Sequence, residues 1–403
     1  MIIAGIVAEY NPFHNGHAFH IERTRAEHGG CAATHVVAVM SGSFVQRGEP
    51  AVMPKADRVR AALAGGVDLV LELPVPWSMA SAEGFAFGAV SILDALGCVD
   101  VLSFGSECGD VASLLKVADT LESDRFSSLL RYHLEAGIAF PDARQRAVAE
   151  LAGHKTAALL ESPNNTLGIE YLKALRRRKS RITPFTVERF GSGHDQRLPV
   201  GEFACASYLR DLLAAGRIGN ISPYIPPRSL EVLHDAAKAG HCPADPVLIE
   251  RAMLSALRRL SKEQVARLPG ISEGLENRVY DAIRGAGTLE ELTERIKTKR
   301  YPLARVRRLL TAGFLGLSSG WEARTPPYIR VLGVNRRGTE ILRAAKGGSL
   351  PRITRVSQLE ALPDEAKTLF ALECRAADLY ALALPSPYPC GTEYTNGVIR
   401  CDD

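Results

Sequence analysis

The sequence has no pair of cysteines at the C-x-x-C spacing, although eight cysteines are spread along its 403 residues. A zinc ribbon or a disulfide framework is therefore not expected, and free thiols fit a reducing compartment. No apolar run approaches the ~20 residues that a membrane-spanning helix needs. No basic segment precedes an apolar one at the N-terminus, so we expect a cytoplasmic protein with no signal peptide and no membrane partner.

The net charge is also small, at +4 from 49 basic and 45 acidic residues. A chain this close to neutral can bind nucleic acid only through a local basic surface. Hydrophobic residues make up 46% of the sequence, which is ordinary for a globular protein. Because 403 residues are too many for one ordinary core, we expect two or three domains.

A polar turn links the first predicted strand to the first predicted helix. Residues 2–8 are apolar and β-branched, and an amphipathic pattern starts near Ala18. Between them, residues 9–17 read Glu-Tyr-Asn-Pro-Phe-His-Asn-Gly-His. The carboxyl end of a strand followed by a helix N-terminus is where open α/β sheets bind phosphate groups. His14 and His17 lie one helical turn apart and can face the same anion. Such a pair alone is usually a coincidence, but this placement favours a site.

Strand patterns recur at 35–40, 67–73, 99–105 and 182–188, with helical patterns over 55–64, 83–96 and 111–160 between them. Strands that alternate with helices predict an α/β fold with a parallel, Rossmann-like sheet. The carboxyl edge of this sheet would bring together the ends of all five strands.

Several polar residues near this edge also have an ordinary structural interpretation. Gly105 could be only a turn residue, and Asn164-Asn165 after a proline is a common turn and N-cap. Arg47 and Lys55 could lie in a solvated loop. The alternative is binding of a nucleotide or an acid substrate, because polar loops at strand ends make such contacts. The residues alone leave both interpretations open.

The pattern changes near residue 223, where a proline-rich stretch resembles a linker. Residues 244–319 are mostly helical, and residues 297–308 hold six basic residues and no acidic one. Such a run is usually a solvated face, but its interleaved tyrosine and a proline at the expected start of a helix leave RNA contact open. The basic residues at 176–179 suit either a helix C-terminus or a phosphate backbone. A strand and basic turn at 328–338 offer another RNA surface, with Arg330, Arg336 and Arg337.

Residues 9–17 and the sequence Ser-Gly-Ser-Phe-Val-Gln-Arg-Gly-Glu-Pro-Ala at 41–51 closely resemble those of one family. This family is the tRNA(Met) cytidine acetate ligases, within the H-x-G-H nucleotidylyltransferase superfamily. The resemblance implies a catalytic, ATP-binding nucleotidylyltransferase domain over residues 1–222. It implies a mostly helical C-terminal domain over residues 223–403 that binds tRNA.

The resemblance also implies the reaction. Members use ATP to activate acetate as acetyl-adenylate, and they acetylate N4 of the wobble cytidine of elongator tRNA(Met). Mg²⁺ is expected to bind with the ATP phosphates and not in a metal site made by the protein alone. Two rival interpretations are a small-molecule nucleotidylyltransferase and a non-catalytic RNA-binding protein. The large basic C-terminal part argues against the first, and the intact histidines argue against the second.

Matching positions give the residues expected to act. The expected catalytic residues are His14 and His17. The expected ATP-binding residues are Val7, Ala8, Glu9, Tyr10, Asn11, Pro12, Phe13, His14, Asn15, Gly16, His17, His20, Gly105, Asn164, Asn165, Arg189, Ser207 and Arg210. The expected RNA-binding residues are Lys297, Lys299, Arg300, Arg305 and Arg308. The chain departs from the family pattern at Gly193-His194-Asp195, where Tyr-His-Asp is common, and at Cys205, which replaces a serine.

Overall fold

The structure is a computed structural model, and it describes residues 1–189, 199–272 and 274–401. Runs of Val, Ile, Leu and Ala form buried strands that suit a sheet covered on both faces. The strands are β1 Ile3–Ala8, β2 His35–Ser41, β3 Leu69–Leu73, β4 Val101–Ser106, β5 Thr183–Glu188, β6 Ile329–Val334, β7 Arg352–Ile353 and β8 Ile399–Arg400.

These strands form one sheet in the order β5-β4-β1-β2-β3-β6-β7, with β8 beside β6. β1 lies between its parallel neighbours β2 and β4. The chain adds β2 and β3 on one side of β1 and then β4 and β5 on the other, as in doubly wound sheets. The crevice at the carboxyl ends of β1 and β4 is therefore the topological switch point where such folds bind ligands. The motif at residues 9–17 begins at this crevice.

Helices cover both faces of the parallel part of the sheet. The helices of this part are α1 Asn15–Arg25, α2 Lys55–Ala64, α3 Val75–Ser78, α4 Ala82–Leu96, α5 Val111–Leu121, α6 Asp124–Glu135, α7 Phe140–Ala152, α8 His154–Ala158, α9 Pro163–Arg178, α10 Ala206–Ala214 and α11 Pro227–Lys238. Apolar residues of α1, α2, α10 and α11 pack on one face, and those of α4 and α9 pack on the other.

The rest of the chain is mostly helical. Its helices are α12 Glu250–Arg258, α13 Lys262–Ala266, α14 Leu275–Gly285, α15 Leu289–Ile296, α16 Leu303–Leu315, α17 Arg336–Ala344, α18 Asp364–Ala381 and α19 Thr392–Thr395. Helices α12 to α16 and α18 enclose a second core that includes Phe44 and Val45. In the described part of the chain, every helix is too short or too polar to cross a membrane.

The predicted α/β class is confirmed, and the helix predicted at 55–64 is α2. The structure adds a connection that the sequence pattern did not indicate. β6, predicted as a short strand before a basic turn at 328–338, pairs antiparallel with β3 and extends the N-terminal sheet. The basic turn after it begins α17, because the Asn335 side chain accepts the backbone N–H of Gly338 at 2.9 Å. A domain division between residues 222 and 223 stays a prediction.

The stretch predicted as a linker is packed instead. Ile221 and Ile225 are buried in the core that α1 and α2 share. Pro227 is the first residue of α11, a position that suits proline because its missing N–H has no helical partner there. Pro226 and Pro227 therefore start a helix.

Candidate active site at the carboxyl end of the first strand

The turn after β1 is held by the segment that follows β2. Glu9 Oε1 accepts the backbone N–H of Gln46 at 2.8 Å, and Asn11 Oδ1 accepts that of Val52 at 2.6 Å. Tyr10, between the two, has a φ of 47°, which is uncommon outside glycine. These contacts end β1 and direct the chain into α1.

His14 and His17 lie side by side at the start of α1, with ring centres 3.8 Å apart. His14 Nδ1 accepts the backbone N–H of Gly16 at 3.0 Å, and His17 Nδ1 accepts that of His14 at 3.2 Å. A ring nitrogen that accepts a hydrogen bond carries no proton, so each neutral ring carries its proton on Nε2. Both histidines thus present an N–H donor at a helix N-terminus.

Burial lowers the pKa of both histidines. It brings the pKa of His14 to about 3, with smaller contributions from the guanidinium groups of Arg189 and Arg210. Burial, with the neighbouring His14, holds the pKa of His17 well below its usual value. Both rings are therefore neutral at pH 7, and they can serve as hydrogen-bond donors but not as cations.

His20, one turn further along α1, contacts the neighbouring strand. Its Nε2 lies 2.9 Å from Ser103 Oγ in β4, and Ser103 Oγ lies 2.7 Å from Thr24 Oγ1. Burial lowers the pKa of His20 to about 4, so a neutral ring ties α1 to β4. This contact holds in place the helix that carries the other two histidines.

Two arginines bring positive charge to the same crevice. Arg189 follows β5, and its side chain passes over Gly105, where an added Cβ atom would lie 3.2 Å from Arg189 Cγ. Arg210, on α10, donates from Nη1 to the backbone carbonyl of Asn11 at 2.9 Å. Both guanidinium groups are close enough to His14 to lower its pKa. The structure thus brings His14, Arg189 and Arg210 together.

Glu107, which follows β4, was missed by the sequence analysis. Its carboxylate accepts the backbone N–H of Asn165 at 2.8 Å and the side-chain amide of Asn164 at 2.7 Å. Asn165 Oδ1 in turn accepts the backbone N–H groups of Glu107 and Cys108 at 2.9 and 3.1 Å. The buried Asn165 therefore joins α9 to β4, while Asn164 stays half-buried. The available signal was an acidic residue at a strand end, which suits a helix N-terminus.

The remaining predicted ATP-binding residues follow the same elements. Ser207 is exposed on α10, and its Oγ lies 3.1 Å from Cys205 Sγ. The cysteine that replaces a serine thus contacts the remaining hydroxyl. Gly193, His194 and Asp195 lie outside the described residues. Val7 and Ala8 end β1, Pro12 and Phe13 complete the turn, and Asn15 and Gly16 begin α1.

The predicted RNA-binding residues lie on α16 and on the segment before it. Lys297 and Lys299 are exposed, and Lys297 Nζ lies 3.1 Å from a carboxylate oxygen of Glu294. The guanidinium carbons of Arg300 and Arg305 lie 5.9 and 5.1 Å from the ring centre of Tyr301. The basic residues therefore surround one aromatic ring, an arrangement that RNA-binding surfaces also use.

The basic run at 176–179 closes α9, as the helix-end interpretation predicts. Arg176 pairs with Asp119 and Glu122 at 2.5 and 3.1 Å, and Arg178 pairs with Asp94 at 3.1 Å. These carboxylates offset much of the positive charge. The contacts favour a role in packing α9 over a role in binding a phosphate backbone.

Lys55 and Arg330 belong to a buried charge cluster. Lys55 Nζ pairs with Glu72 and, at 2.8 Å, with Glu393, while Arg330 Nη1 pairs with Glu393 and, at 3.3 Å, with Glu72. Burial alone would raise the pKa of Glu393, but Lys55 and Arg330 lower it to about 2. The solvated-loop interpretation of Lys55 is therefore wrong, and Arg330 is not part of an RNA surface, because the cluster joins α2, β3, β6 and α19 in the interior.

The chain is similar to known proteins over nearly its full length. The sequence matches the family model described as HIGH Nucleotidyl Transferase over residues 1–393. A curated tRNA(Met) cytidine acetate ligase of Acetivibrio thermocellus is 38% identical over 99% of this chain and 100% of its own length. The chain belongs to the tRNA(Met) cytidine acetate ligase family. A member from Alkaliphilus metalliredigens is 39% identical over 95% of both chains.

Two solved structures of a relative have the same fold as this chain. Crystal structures of Thermotoga maritima TmcAL, one bound with alpha-thio ATP and one apo, match 100% of both chains. Their TM-scores are 0.91 and 0.93, at 32% and 33% sequence identity. The match includes the helical C-terminal part, so the N-terminal sheet and the helices beyond it form one shared architecture.

Proposed function

We propose that this chain is a cytoplasmic tRNA(Met) cytidine acetate ligase. It would activate acetate with ATP as acetyl-adenylate and transfer the acetyl group to N4 of the wobble cytidine of elongator tRNA(Met). The observation that carries the proposal is the pair of neutral imidazoles, His14 and His17, whose Nε2–H groups stand at the carboxyl end of β1. Full-length similarity to curated ligases of that name supports the substrates.

The first step is an in-line displacement at the α-phosphorus of ATP. A carboxylate oxygen of acetate forms the new O–P bond, the bond to the β-phosphate oxygen breaks, and pyrophosphate leaves. The residues act through position and charge, since no side chain needs to be modified. His14 and His17 would donate to a non-bridging α-phosphate oxygen, and Arg189 and Arg210 would attract the polyphosphate.

The second step is acyl transfer to the tRNA. The N4 amine of cytidine attacks the acetyl carbonyl, the bond between that carbonyl carbon and the bridging oxygen breaks, AMP leaves, and the N4 nitrogen gives up one proton to the solvent. The base must be unstacked to reach the crevice, as base-modifying enzymes require. This step needs a tRNA surface continuous with the crevice.

Mg²⁺ would enter with the phosphates of ATP and offset their charge. Among residues 1–189, 199–272 and 274–401, no three His, Cys, Asp or Glu side chains come together to hold a metal ion.

A cleft of about 590 Å³ beside α16 supports a tRNA surface near the crevice, and Arg305 and Arg308 line it. Arg305 Nη2 donates to the carbonyl of Gly270 at 2.8 Å, and Arg308 Nη1 approaches that of Gln46 at 3.5 Å. Within the described part of the chain, neither arginine pairs with a carboxylate. Gln46 also donates to Glu9, so the basic helix and the catalytic turn share one loop.

Acetate labelled in its methyl group tests the complete reaction. With ATP and elongator tRNA(Met), the protein is expected to yield labelled tRNA, and a tRNA with uridine at the wobble position is expected to stay unlabelled. Omission of ATP should also abolish labelling. Failure of acetate to label the tRNA, or labelling that persists with the uridine tRNA, would contradict the proposed substrate or position.

Charge reversal at Lys299 is expected to weaken tRNA binding, because this exposed lysine extends the basic segment before α16. Loss of one phosphate contact should flatten the dependence of log K on log salt by about one unit. Binding measured at several salt concentrations checks this. Lys238→Glu makes the same charge change on an exposed lysine of α11, and an equal effect in both variants would mean that position on the surface does not matter.

Gly16→Ala is expected to slow formation of acetyl-adenylate without unfolding the protein. An added Cβ would lie 2.9 Å from His14 Cε1, so the imidazole must move, and a shift of about 1 Å can lower a rate by ~10²-fold. Exchange of labelled pyrophosphate into ATP measures the step. Gly219→Ala is the control, because its Cβ would meet nothing within 4 Å. Equal rates in both variants would show that His14 tolerates displacement.

A further inference from the structure

Arg58, on α2, is wholly buried at 0% exposure and is bound almost entirely by backbone. Its Nη1 donates to the carbonyl of Glu9 at 2.7 Å, its Nη2 donates to that of Gly42, and its Nε donates to that of Met53 at 3.3 Å. Within the described residues, no carboxylate forms an ion pair with it. One guanidinium therefore joins the ends of β1 and β2 to the loop before α2.

Burial of this guanidinium costs too much free energy for a role in packing alone. A buried cation without an acidic partner loses its hydration, and an apolar side chain of similar volume commonly gives equal or greater stability. Burial lowers the pKa of Arg58 to about 10, so the group is still charged at pH 7. The guanidinium is therefore better explained by the carbonyl groups that it orients than by the stability that it adds.

The orientation of these carbonyls fixes two backbone N–H groups. In a trans peptide the C=O and N–H point in opposite directions, and both the Glu9–Tyr10 and the Gly42–Ser43 bonds are trans. Since Arg58 holds the two carbonyls, the N–H groups of Tyr10 and Ser43 point away from it. Neither N–H has a hydrogen-bond partner in the part of the chain that the structure describes.

We propose that Arg58 is a positioning residue for adenylation. By holding the carbonyls of Glu9 and Gly42, it turns the N–H groups of Tyr10 and Ser43 away from itself, as donors for an anionic substrate group, the acetate carboxylate or an ATP phosphate. Both groups follow adjacent parallel strands, so they stand at the edge where such sheets bind ligands. The role rests on the proposed function, because it is defined for the adenylation step.

Three variants test the role, with kcat and KM for acetate-dependent pyrophosphate exchange and the melting temperature measured for each. Arg58→Lys keeps the charge but cannot reach three carbonyls, and we expect a folded protein with kcat lower by ~10²-fold. Arg58→Ala leaves a space of guanidinium shape, so added guanidinium at millimolar concentration should partly restore kcat, whereas ammonium should not. Arg60→Ala, on the same helix, removes an exposed arginine paired with Asp57 and should show neither effect.

The outcomes distinguish failure of the proposed function from failure of the positioning role of Arg58. A wild-type protein without acetate-dependent exchange would contradict the proposed function itself. Normal kcat and KM in folded Arg58→Lys would overturn the positioning role, and so would equal stimulation of Arg58→Ala and Arg60→Ala by guanidinium. If Arg58→Ala does not fold, Arg58→Lys decides. Loss of folding in both would also overturn it, because the arginine would then serve the fold.

Discussion

Replacing His17 by alanine is expected to slow acetate-dependent exchange of pyrophosphate into ATP by about 10²–10³-fold, the scale for losing one oxyanion-type donor. The reason is the loss of its Nε2–H, the ring donor that remains because Nδ1 accepts the backbone N–H of His14. Exchange kinetics with labelled pyrophosphate measure the effect, and thermal melting checks that the variant is folded.

His17→Asn refines this test, because an asparagine oxygen can take the place of Nδ1 while the Nε2 donor is lost. It should be as slow as His17→Ala and closer to the wild type in melting temperature. His28→Ala, at an exposed position beyond α1, is the control and should exchange normally. A folded His17→Asn protein that keeps the wild-type rate would remove this histidine from the mechanism.

Replacing Arg330 by methionine is expected to lower the free energy of unfolding by about 3–5 kcal/mol, the cost of leaving a buried charge without its partner. Glu72 and Glu393, which are almost wholly buried, would lose one of the two cations that neutralise them. Loss of the Arg330 side chain should also remove the ion pair that joins β6 to α19. Denaturant unfolding of the wild type and the variant gives the difference.

Arg324→Met is the matched control for this prediction. Arg324 pairs with Glu365 at 3.1 Å, but both side chains are largely exposed, and a surface pair contributes about 1 kcal/mol or less. The two variants remove the same side chain from an ion pair of different burial. Similar unfolding free energies in both variants would contradict a stabilising role for the buried cluster.

The parallel part of the sheet could be predicted because its signals are local. Each strand is a short run of β-branched and apolar residues with a helical pattern after it, and α2 was predicted with its observed limits. The predicted third strand began two residues early, at Val67. Asp68 leaves the strand because its side chain accepts the backbone N–H of Val36 and pairs with Arg25, and its partners lie far away in sequence.

The site was predictable in part for the same reason. His14 and His17 lie in one local motif between a strand and a helix, so the sequence was sufficient to find them. Arg58 and Lys55 were not recognised as buried, because charged residues are mostly exposed unless paired. Their partners are backbone carbonyls and a glutamate more than 300 residues away, which no local pattern reveals.

The antiparallel addition of β6 to β3 has the same origin. Its apolar sequence predicted a strand, but the partner is set by the tertiary fold, about 260 residues earlier in the chain. Long-range pairing of this kind carries no local sequence signal. The sequence therefore predicted secondary-structure elements and motifs well, and it predicted the tertiary contacts between them poorly.

We expect acetate to attack the α-phosphorus of ATP at the crevice beside β1. Acetate with ¹⁸O in both carboxylate oxygens tests this attack in a complete reaction with ATP and elongator tRNA(Met). The attacking oxygen stays on phosphorus when the acetyl group leaves, so the expected products are AMP with one ¹⁸O atom and unlabelled pyrophosphate. Unlabelled AMP, or ADP with ¹⁸O in inorganic phosphate, would contradict this attack.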